Sequence, residues 1–274
     1  MLVDTHCHLY FETFEEDLQQ VLARSVDEGV GRILCPGIDL KTSREAVNLA
    51  EAYPQVYAAI GVHPNDSLSW TEGTIDELRL LADHPKVVAI GEIGLDYYRD
   101  RAPKDLQQKV FREQLLLAAE TALPVVIHTR NSSEGSLDAM EDALAFLANW
   151  QTDLAAISPL LYERPGVLHS YSGDEEIARR AIHLNFQIGI TGPVTFKNAP
   201  DLQRLVGLLP LDHLLIETDA PFLTPHPHRG KRNEPSFVRL VAEKIAQIHN
   251  LPLGVVADIT TNNAGRLFNW RVTN

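Results

Sequence analysis

The chain has 274 residues, of which 45% are hydrophobic and 22% are charged, and this composition excludes a predominantly disordered protein. Its formal net charge of −13 argues against broad, sequence-independent adhesion to DNA, so any attraction to a polyanion has to be local. The length suits one large α/β domain, and we expect a single domain over residues 1–274.

The first half of the chain alternates between short apolar segments and amphipathic segments. The stretch Leu2–Leu9 opens as a short buried strand, and because strand side chains alternate between faces, His6 and His8 emerge on the same side. Apolar side chains then recur at helical spacing until Glu28-Gly29. The sequence predicts helices at Phe14–Glu28, Thr42–Tyr53 and Ile75–Ala82, and further strands at Arg32–Cys35, Val56–Pro64 and Val87–Asp96.

The second half repeats this pattern with one interruption. Gln151–Arg164 contains Ser158-Pro159 and no clean period, which predicts an irregular excursion. The predicted strands of this half are Pro124–His128, Gly166–His169, Phe186–Ile190 and His213–Asp219. The predicted helices are Leu106–Thr121, Glu134–Trp150, Ile177–Leu184, Leu202–Leu209, Pro235–His249, Leu253–Ile259 and Asn262–Phe268.

Eight strands that alternate with helices, none with period-two amphipathicity, predict a parallel sheet covered on both faces. A closed (β/α)8 TIM barrel of the α/β class is the simplest form of such a sheet. In that barrel, seven side chains of metal-ligand type lie at the C-terminal ends of strands, where barrel enzymes place their active sites. They are His6, His8, His63, Glu92, His128, His169 and Asp219.

The cysteines and the start of the chain indicate the compartment. Cys7 and Cys35 have no Cys-x-x-Cys spacing and do not predict a disulfide framework. The N-terminus runs directly into a strand, and no apolar run approaches the roughly 18 residues of a membrane span. We therefore expect a cytoplasmic protein with no membrane association and no obligatory protein partner.

The number of candidate ligands indicates two metal ions. Without His63, four histidines and two carboxylates remain, more than one tetrahedral catalytic ion can use while a position stays open for water. Glu92, with glycines nearby, is the natural carboxylate to bridge two ions. A water shared by two such ions loses a proton near neutral pH and becomes a nucleophile. The pattern therefore predicts a hydrolase with two divalent metal ions per chain.

The same residues lie in motifs that resemble one known family, the TatD-type metal-dependent hydrolases. These are barrel proteins of the amidohydrolase superfamily, and many are deoxyribonucleases. The resemblance runs from Val3 to about Phe268 and includes Asp4–His8, Gly61–Pro64 and Gly91–Tyr98, followed by Ile127–Arg130, His169–Gly173, Thr195–Ala199, Glu217–Pro225 and Arg229–Pro235. It implies that Glu92 bridges two ions and that the other ligands are His6, His8 and Asp219 for one ion, and His128 and His169 for the other.

Two features depart from the usual family pattern without removing a ligand. The connection between His128 and His169, which includes residues 131–164, is longer than usual and predicts a differently shaped wall of the substrate entrance. Ser170-Tyr171-Ser172-Gly173 stands where Cys-Phe-Ser-Gly is commoner. Both features bear on the choice of substrate and not on metal binding.

Three residues are predicted to be catalytic: Glu92 as the bridging ligand, Asp219 and His63. The resemblance suggests that Asp219 both contacts a metal ion and takes a proton from the attacking water. His63 either protonates the leaving oxygen, holds the substrate phosphate, or only supports its neighbours through hydrogen bonds. Glu217 is expected to support the site rather than to react.

Cations near the expected rim indicate an anionic substrate. The predicted substrate-binding residues follow strands five, seven and eight and are Arg130, Lys197, Asn198, Arg229, Lys231 and Arg232. The alternative for the run 229–232 is a solvated loop or a pair with Glu234. Tyr97, Tyr98 and Tyr171 either stack on a base or pack against the protein.

Three functions are compatible with this pattern. The leading prediction is a deoxyribonuclease that trims strand ends in the manner of a 3′–5′ exonuclease, because a recessed barrel mouth suits a free end of DNA or RNA. The second is a D-aminoacyl-tRNA deacylase, since some relatives cleave that ester. The third is a non-catalytic metal-binding protein, against which the complete ligand set argues. Imidazole and carboxylate ligands accommodate Zn, Mn, Ni and Fe, and Mg less comfortably.

Overall fold

The computed structural model describes residues 1–270, and its strands form a single sheet of parallel strands. Each strand is hydrogen-bonded to the next one in the sequence, so the order in the sheet is the order along the chain. Numbered β1 to β8, the strands are Leu2–Asp4, Val30–Pro36, Val56–Ile60, Val87–Asp96, Val125–Arg130, Gly166–Leu168, Gln187–Ile190 and Leu214–Ile216.

Helices cover the outside of the sheet, and most of them connect one strand to the next. Numbered α1 to α10, the α-helices of the described residues are Leu18–Asp27, Leu40–Ala52, Thr74–Ala82, Lys104–Thr121, Asp138–Ile157, Pro159–Tyr162, Glu175–His183, Pro200–Leu208, Val238–His249 and Leu253–Phe268. Aspartate side chains cap the N-termini of two of these helices. Asp39 accepts a hydrogen bond from the Thr42 N–H (2.7 Å) at α2, and Asp174 accepts one from the Ile177 N–H (2.9 Å) at α7.

The last strand returns to the first and closes the sheet into a barrel. Just beyond β1, the Thr5 N–H donates to the carbonyl of Ile216 in β8 (3.2 Å). Further along, Cys7 forms a parallel bridge with Ala220. Together with the strand order, these contacts confirm the predicted (β/α)8 barrel.

Two apolar clusters lie on opposite faces of the strands. One fills the space between the sheet and the helices. The other combines strand residues of the opposite face, such as Val126 and Leu215, with Trp270 just after α10. Because strand side chains alternate, Val126 shares its face with His128, and Leu215 shares its face with Glu217. The barrel interior is therefore apolar at one end and carries candidate site residues at the other.

Several helices differ from their predicted bounds. The prediction of an irregular stretch at Gln151–Arg164 was wrong, because α5 and α6 occupy most of it. Gln151 is buried and its amide donates to the Leu184 carbonyl (2.6 Å), a long-range contact that local periodicity does not reveal. In addition, α10 is one continuous helix where two were predicted, and α1 begins at Leu18 because Glu12–Phe14 forms a short 3-10 turn.

Neither cysteine takes part in a disulfide bond. Cys7 and Cys35 are free and buried. Burial raises the pKa of both thiols, that of Cys35 to about 12, so both stay protonated at neutral pH. Among residues 1–270, none of the helices combines the length and the apolar character that crossing a bilayer requires.

An ion pair ties α1 to the segment that follows β8. Arg24 donates to Glu234 Oε2 (2.6 Å), and the Ser236 hydroxyl donates to Oε1 of the same carboxylate (2.6 Å). Burial alone would raise the pKa of Glu234, but these hydrogen bonds and the charge of Arg24 outweigh burial and lower that pKa below its ordinary value. The ionised Glu234 therefore stabilises the fold.

Replacing Glu234 with Gln is expected to lower the free energy of unfolding by about 1–3 kcal/mol at neutral pH. A carboxylate with a lowered pKa stabilises the folded state above its unfolded pKa, and this contribution is lost as the pH falls through the folded pKa. The difference between wild type and Glu234→Gln is therefore expected to shrink below about pH 4. Denaturant unfolding at several pH values measures it, with the exposed Glu243→Gln as control. A difference that persists at low pH would contradict the assignment.

Candidate metal centre

Four side chains converge just beyond the end of β1. The Nε2 atoms of His6 and His8 lie 3.1 Å apart, and Glu92 Oε2 lies 3.4 and 3.6 Å from them. Asp219 Oδ1 lies 3.8 Å from His6 Nε2 and 3.5 Å from His8 Nε2. Metal–ligand bonds of about 2.0–2.2 Å place the ligand atoms of a tetrahedral ion about 3.3–3.6 Å apart, so these four atoms have nearly the spacing of one metal site.

Glu92 faces a second group of histidines with its other oxygen. Its Oε1 lies 2.9 Å from His128 Nδ1 and 3.7 Å from His63 Nε2. The rings of these two histidines lie with their centroids 4.4 Å apart. One carboxylate, in the middle of β4, thus lies between two histidine groups, which is the arrangement that the predicted bridging role requires.

His169 packs against the first of these groups. Its ring stacks on that of His6, with centroids 3.4 Å apart, and its Nε2 lies 3.8 Å from Asp219 Oδ1. Its Nδ1–H donates to Glu217 Oε2 (2.9 Å), which leaves the Nε2 lone pair free for a metal ion. His63, rather than His169, lies with Glu92 and His128. The pairing of His128 and His169 on one ion stays a prediction.

His8 is held in one tautomer by the groups behind it. Its Nδ1 lies 3.1 Å from the Pro36 carbonyl and 2.8 Å from the Tyr10 hydroxyl. Because a carbonyl only accepts hydrogen bonds, Nδ1 carries the proton and donates it to Pro36. The lone pair of Nε2 is therefore presented toward Glu92 and Asp219.

Buried hydrogen bonds fix the backbone around Asp219, whose φ of 55° lies in the left-handed region. The Thr218 N–H and hydroxyl donate to the Asp4 carboxylate at 2.9 and 2.6 Å. The Asn233 amide donates to the carbonyls of Thr218 (2.8 Å) and Phe222 (2.6 Å). Sequence reasoning missed Asp4 and Asn233 as supports, because their partners lie far away along the chain or in an irregular loop.

The charges of the site favour a bound cation. Burial would raise the pKa of Glu92, but His6, His63 and the hydrogen bond from His128 outweigh burial and hold that pKa well below its usual range. Burial lowers the pKa of His6. Burial also opposes charge on His128 and His169, but the carboxylates beside them raise both pKa values to about 9. The site therefore stabilises positive charge, and protons and divalent cations compete for the same imidazole and carboxylate atoms.

Two buried imidazole nitrogens, His6 Nδ1 and His128 Nε2, have no hydrogen-bond partner among the described residues. A buried polar atom without a partner costs about 1–3 kcal/mol, and a metal ion would satisfy His128 Nε2. His6 faces the other candidate ligands with its Nε2 instead. His128 Nε2 also lies 3.5 Å from Asp96 Oδ2, an acidic neighbour suited to a cation. Together with the imidazole and carboxylate donor set, these atoms fit divalent ions such as Zn, Mn, Ni or Fe.

A cavity of about 1160 Å³ opens over the candidate ligands. Arg130, which the sequence predicts to bind substrate, lines this cavity. Arg232 instead pairs with Asp17 (2.7 Å), and Glu234, its predicted alternative partner, pairs with Arg24. The substrate role stays a prediction for Arg130 and equally for the five predicted residues that lie outside the lining, which are Lys197, Asn198, Arg229, Lys231 and Arg232.

Three arginines of the cavity lining were missed by sequence reasoning: Arg99, Arg101 and Arg204, the last of which lies 3.7 Å from Asp201. Arg99 and Arg101 line the cavity just beyond the C-terminal end of β4. Their signal in the sequence is their position, because they directly follow the strand that carries Glu92. Sequence reasoning concentrated on the basic run after β8, which mostly faces away from the cavity.

The three tyrosines near the mouth differ in their surroundings. Tyr97 and Tyr171 are buried, and their hydroxyls donate to the Asp142 carboxylate (2.7 Å) and to the Asp174 carbonyl (2.6 Å). Tyr98 is 56% exposed. The first two therefore pack against the protein, whereas the ring of Tyr98 is open to a ligand.

Comparison with known proteins decides the family. A family model described as TatD related DNase matches residues 3–269. The chain belongs to this family. A *Bacillus subtilis* relative, the uncharacterized metal-dependent hydrolase YabD, is 46% identical over 268 residues, which cover 98% of this chain and 99% of the relative. The *Escherichia fergusonii* protein named 3′-5′ ssDNA/RNA exonuclease TatD is 34% identical, over 97% of this chain and 98% of that protein.

Solved structures of the family agree with this assignment. The crystal structure of YJJV, a TatD homolog from *Escherichia coli*, superposes with a TM-score of 0.87 at 31% identity and covers 98% of both chains. The family resemblance and the barrel predicted from the sequence are thereby confirmed. The chain is a TatD-family metal-dependent hydrolase.

Proposed function

We propose that the protein is a nuclease that releases nucleotides from the end of a single-stranded nucleic acid with the help of two divalent cations. The position of Glu92 carries this proposal, because Oε2 faces His6 and His8 while Oε1 faces His63 and His128. The relative from *Escherichia fergusonii*, named a 3′-5′ ssDNA/RNA exonuclease, supports the substrate class and the direction of cleavage.

The candidate ligands divide into two sets that share Glu92. One set is His6, His8 and Asp219, and the other is His128 with His169, as the family resemblance implies, while His63 lies beside this second set. A pair of divalent cations supplies Lewis acidity, which lowers the pKa of water and offsets the negative charge that develops on a phosphoryl group. The protein's own contribution is to hold the ligands, the substrate and a proton acceptor in place.

Asp219 is the proposed proton acceptor. Burial would raise its pKa, but the neighbouring imidazoles of His8, His169 and His6 lower it, so the carboxylate is ionised at neutral pH. Its side chain is 16% exposed and lines the cavity, so water reaches it. We assign to Asp219 the acceptance of the proton that leaves water as the water attacks the phosphorus.

His63 is proposed to hold the substrate phosphate. Its Nδ1 accepts a hydrogen bond from the Asn65 N–H (3.1 Å), so the proton of the neutral ring is on Nε2, which points toward the site. Burial lowers the pKa of His63 to about 3, and the ring is neutral at pH 7. A neutral imidazole donates a hydrogen bond to a phosphate oxygen but is a poor acid for a leaving group. The geometry therefore favours phosphate binding over proton donation.

The depth of the site supports action on strand ends. His6 and Glu92 are only 0% and 3% exposed at the base of the cavity. A flexible single-stranded end reaches such a base, whereas a rigid duplex meets the rim first. No contact among residues 1–270 specifically favours the D-aminoacyl-tRNA alternative or the non-catalytic alternative, and both enter as outcomes of the experiment.

The test uses protein stripped with a chelator and then supplied with Mg, Mn or Zn in turn. It is offered a single-stranded oligonucleotide and a D-aminoacyl-tRNA in parallel. Metal-dependent release of nucleotides, absent from Glu92→Gln, is the expected result. Release of the amino acid with the oligonucleotide left whole would replace the nuclease by the deacylase, and inertness toward both substrates would favour a binding protein.

Removal of the metal ions is expected to destabilise the fold. A ligand that binds only the folded state at 100 times its Kd contributes about 2.7 kcal/mol, which for a chain of this size corresponds to a Tm shift of about 5–10 °C. Calorimetry before and after chelation measures this shift, and re-addition of metal is the control for reversibility. A Tm that does not respond to chelation would argue against a buried metal centre.

A further inference from the structure

The wall of the cavity formed by the segments after β4 and β5 carries three arginines that have no ion-pair partner. Arg99, Arg101 and Arg130 line the cavity, and within residues 1–270 none of them lies within 4 Å of a carboxylate oxygen. In a chain with a net charge of −13, eight other arginines of residues 1–270 form such pairs, as Arg180 does with Glu141 (2.8 Å). Arg32, Arg112, Arg164, Arg229 and Arg266 form none either, but none of these five lines the cavity. Three adjacent unpaired cations are therefore available to an anionic ligand.

Hydrogen bonds connect this wall to the candidate metal centre. The Asp96 carboxylate accepts hydrogen bonds from the Tyr98 N–H and the Arg99 N–H, both at 3.0 Å, and its other oxygen lies 3.5 Å from His128 Nε2. The Tyr97 N–H donates to the Arg130 carbonyl (2.8 Å). The positions of the arginine backbones are thus set by the same residues that hold His128.

Arg130 stacks on Tyr98, an exposed residue that lies just outside the cavity lining. The guanidinium carbon of Arg130 lies 4.1 Å from the centre of the Tyr98 ring. Stacking fixes the plane of the guanidinium and leaves its edge N–H groups free to donate to phosphate oxygens. The exposed ring beside it provides a surface on which a nucleobase can stack.

The neighbouring wall, formed by the segments after β6 and β7, does not offset these charges. Its acidic residues are engaged in other contacts: Asp174 caps α7, Asp201 lies 3.7 Å from Arg204, and Glu175 pairs with Arg179 (2.7 Å). Burial raises the pKa of Asp66 and the charge of Arg101 opposes this rise, but the two side chains are too far apart to form an ion pair. Positive charge therefore concentrates on the β4–β5 side of the mouth.

The cavity is larger than one nucleotide needs. Its volume of about 1160 Å³ exceeds the ~300–1,000 Å³ that is typical of pockets for small molecules. We propose that Arg99, Arg101 and Arg130 form a phosphate-binding wall that holds the backbone of a nucleic acid strand upstream of the bond being cleaved. This inference rests on the proposed nuclease function and specifies its substrate as a strand of several nucleotides rather than a dinucleotide.

The test compares substrate lengths in the variant Arg99→Ala/Arg101→Ala. Both side chains are exposed, so the substitutions are expected to leave the fold intact, which circular dichroism and thermal unfolding verify. The variant is expected to lose at least about fivefold in kcat/KM on a ten-nucleotide oligothymidylate and less than twofold on a thymidylate dinucleotide. The binding constant for the ten-nucleotide strand is also measured at several salt concentrations. Each contact to a phosphate of a single strand adds about 0.7 to the steepness with which the logarithm of this constant falls with the logarithm of the salt concentration. Loss of two such contacts is expected to reduce that slope by about 1.4.

The matched control is Arg112→Ala/Arg266→Ala, which removes two exposed arginines outside the cavity. Equal losses in the test and control variants, equal losses on both substrate lengths, or no loss at all would overturn the proposal. If the wild type hydrolyses no nucleic acid with any metal, the proposed function fails. In that case, fluorescence anisotropy measures the binding of a labelled ten-nucleotide strand to wild type and variant. Binding at least fivefold weaker in the variant supports the phosphate-binding wall, and equal binding overturns it.

Discussion

Replacing Glu92 with Gln is expected to lower kcat/KM on a single-stranded oligonucleotide by about 10³-fold or more, equivalent to about 4 kcal/mol of transition-state stabilisation. Gln preserves the size of the side chain but removes the negative charge and one of the two acceptor oxygens. Since Oε2 serves the His6–His8 group and Oε1 serves the His63–His128 group, one substitution weakens both.

Two measurements separate this effect from unfolding. Metal content per chain, determined by elemental analysis after dialysis, is expected to fall together with activity, while circular dichroism stays unchanged. Glu163→Gln, a substitution of an exposed residue away from the cavity, is the matched control. Activity within tenfold of wild type at unchanged metal content would show that Glu92 does not serve both groups.

Asp219→Asn is expected to lower kcat by about 10²–10⁴-fold, which is the usual contribution of a positioned acid or base. The amide cannot accept the proton that the carboxylate accepts, yet it retains the hydrogen-bonding shape of the side chain. At saturating metal KM is expected to change little, because Asp219 is proposed to act on the attacking water more than on the strand.

The matched control for this variant is Asp201→Asn, whose carboxylate lines the same cavity and is 94% exposed. It is expected to change kcat less than twofold. A raised KM with unchanged kcat in Asp219→Asn would assign this residue to substrate binding and leave the proton acceptor to be sought elsewhere.

The candidate ligands could be predicted because of a rule of topology. All parallel strands of a barrel end at the same rim, so a His, Glu or Asp at the end of an apolar run points to that rim without knowledge of tertiary contacts. His6, Glu92 and His128 are all of this kind, and the structure brings them together. The alternating pattern of the chain was likewise sufficient to predict the barrel.

Contacts between distant parts of the chain could not be predicted in the same way. The sequence suggested that Arg232 is available to the substrate. In the structure it forms an ion pair with Asp17, which precedes α1. Arg99 and Arg101 attracted no notice, although the structure leaves them unpaired on the cavity wall. Whether a surface arginine is paired depends on which carboxylate the fold brings beside it, and local sequence does not contain that information.

The two ends of the strand sequence meet at the first group of ligands. His6 and His8 follow β1, Asp219 follows β8, and the hydrogen bond between Thr218 and Asp4 joins positions 214 residues apart. During synthesis on the ribosome, a growing chain therefore lacks this group until Asp219 has been added and the seam has closed. A cation bound there then acts as a clasp on the seam.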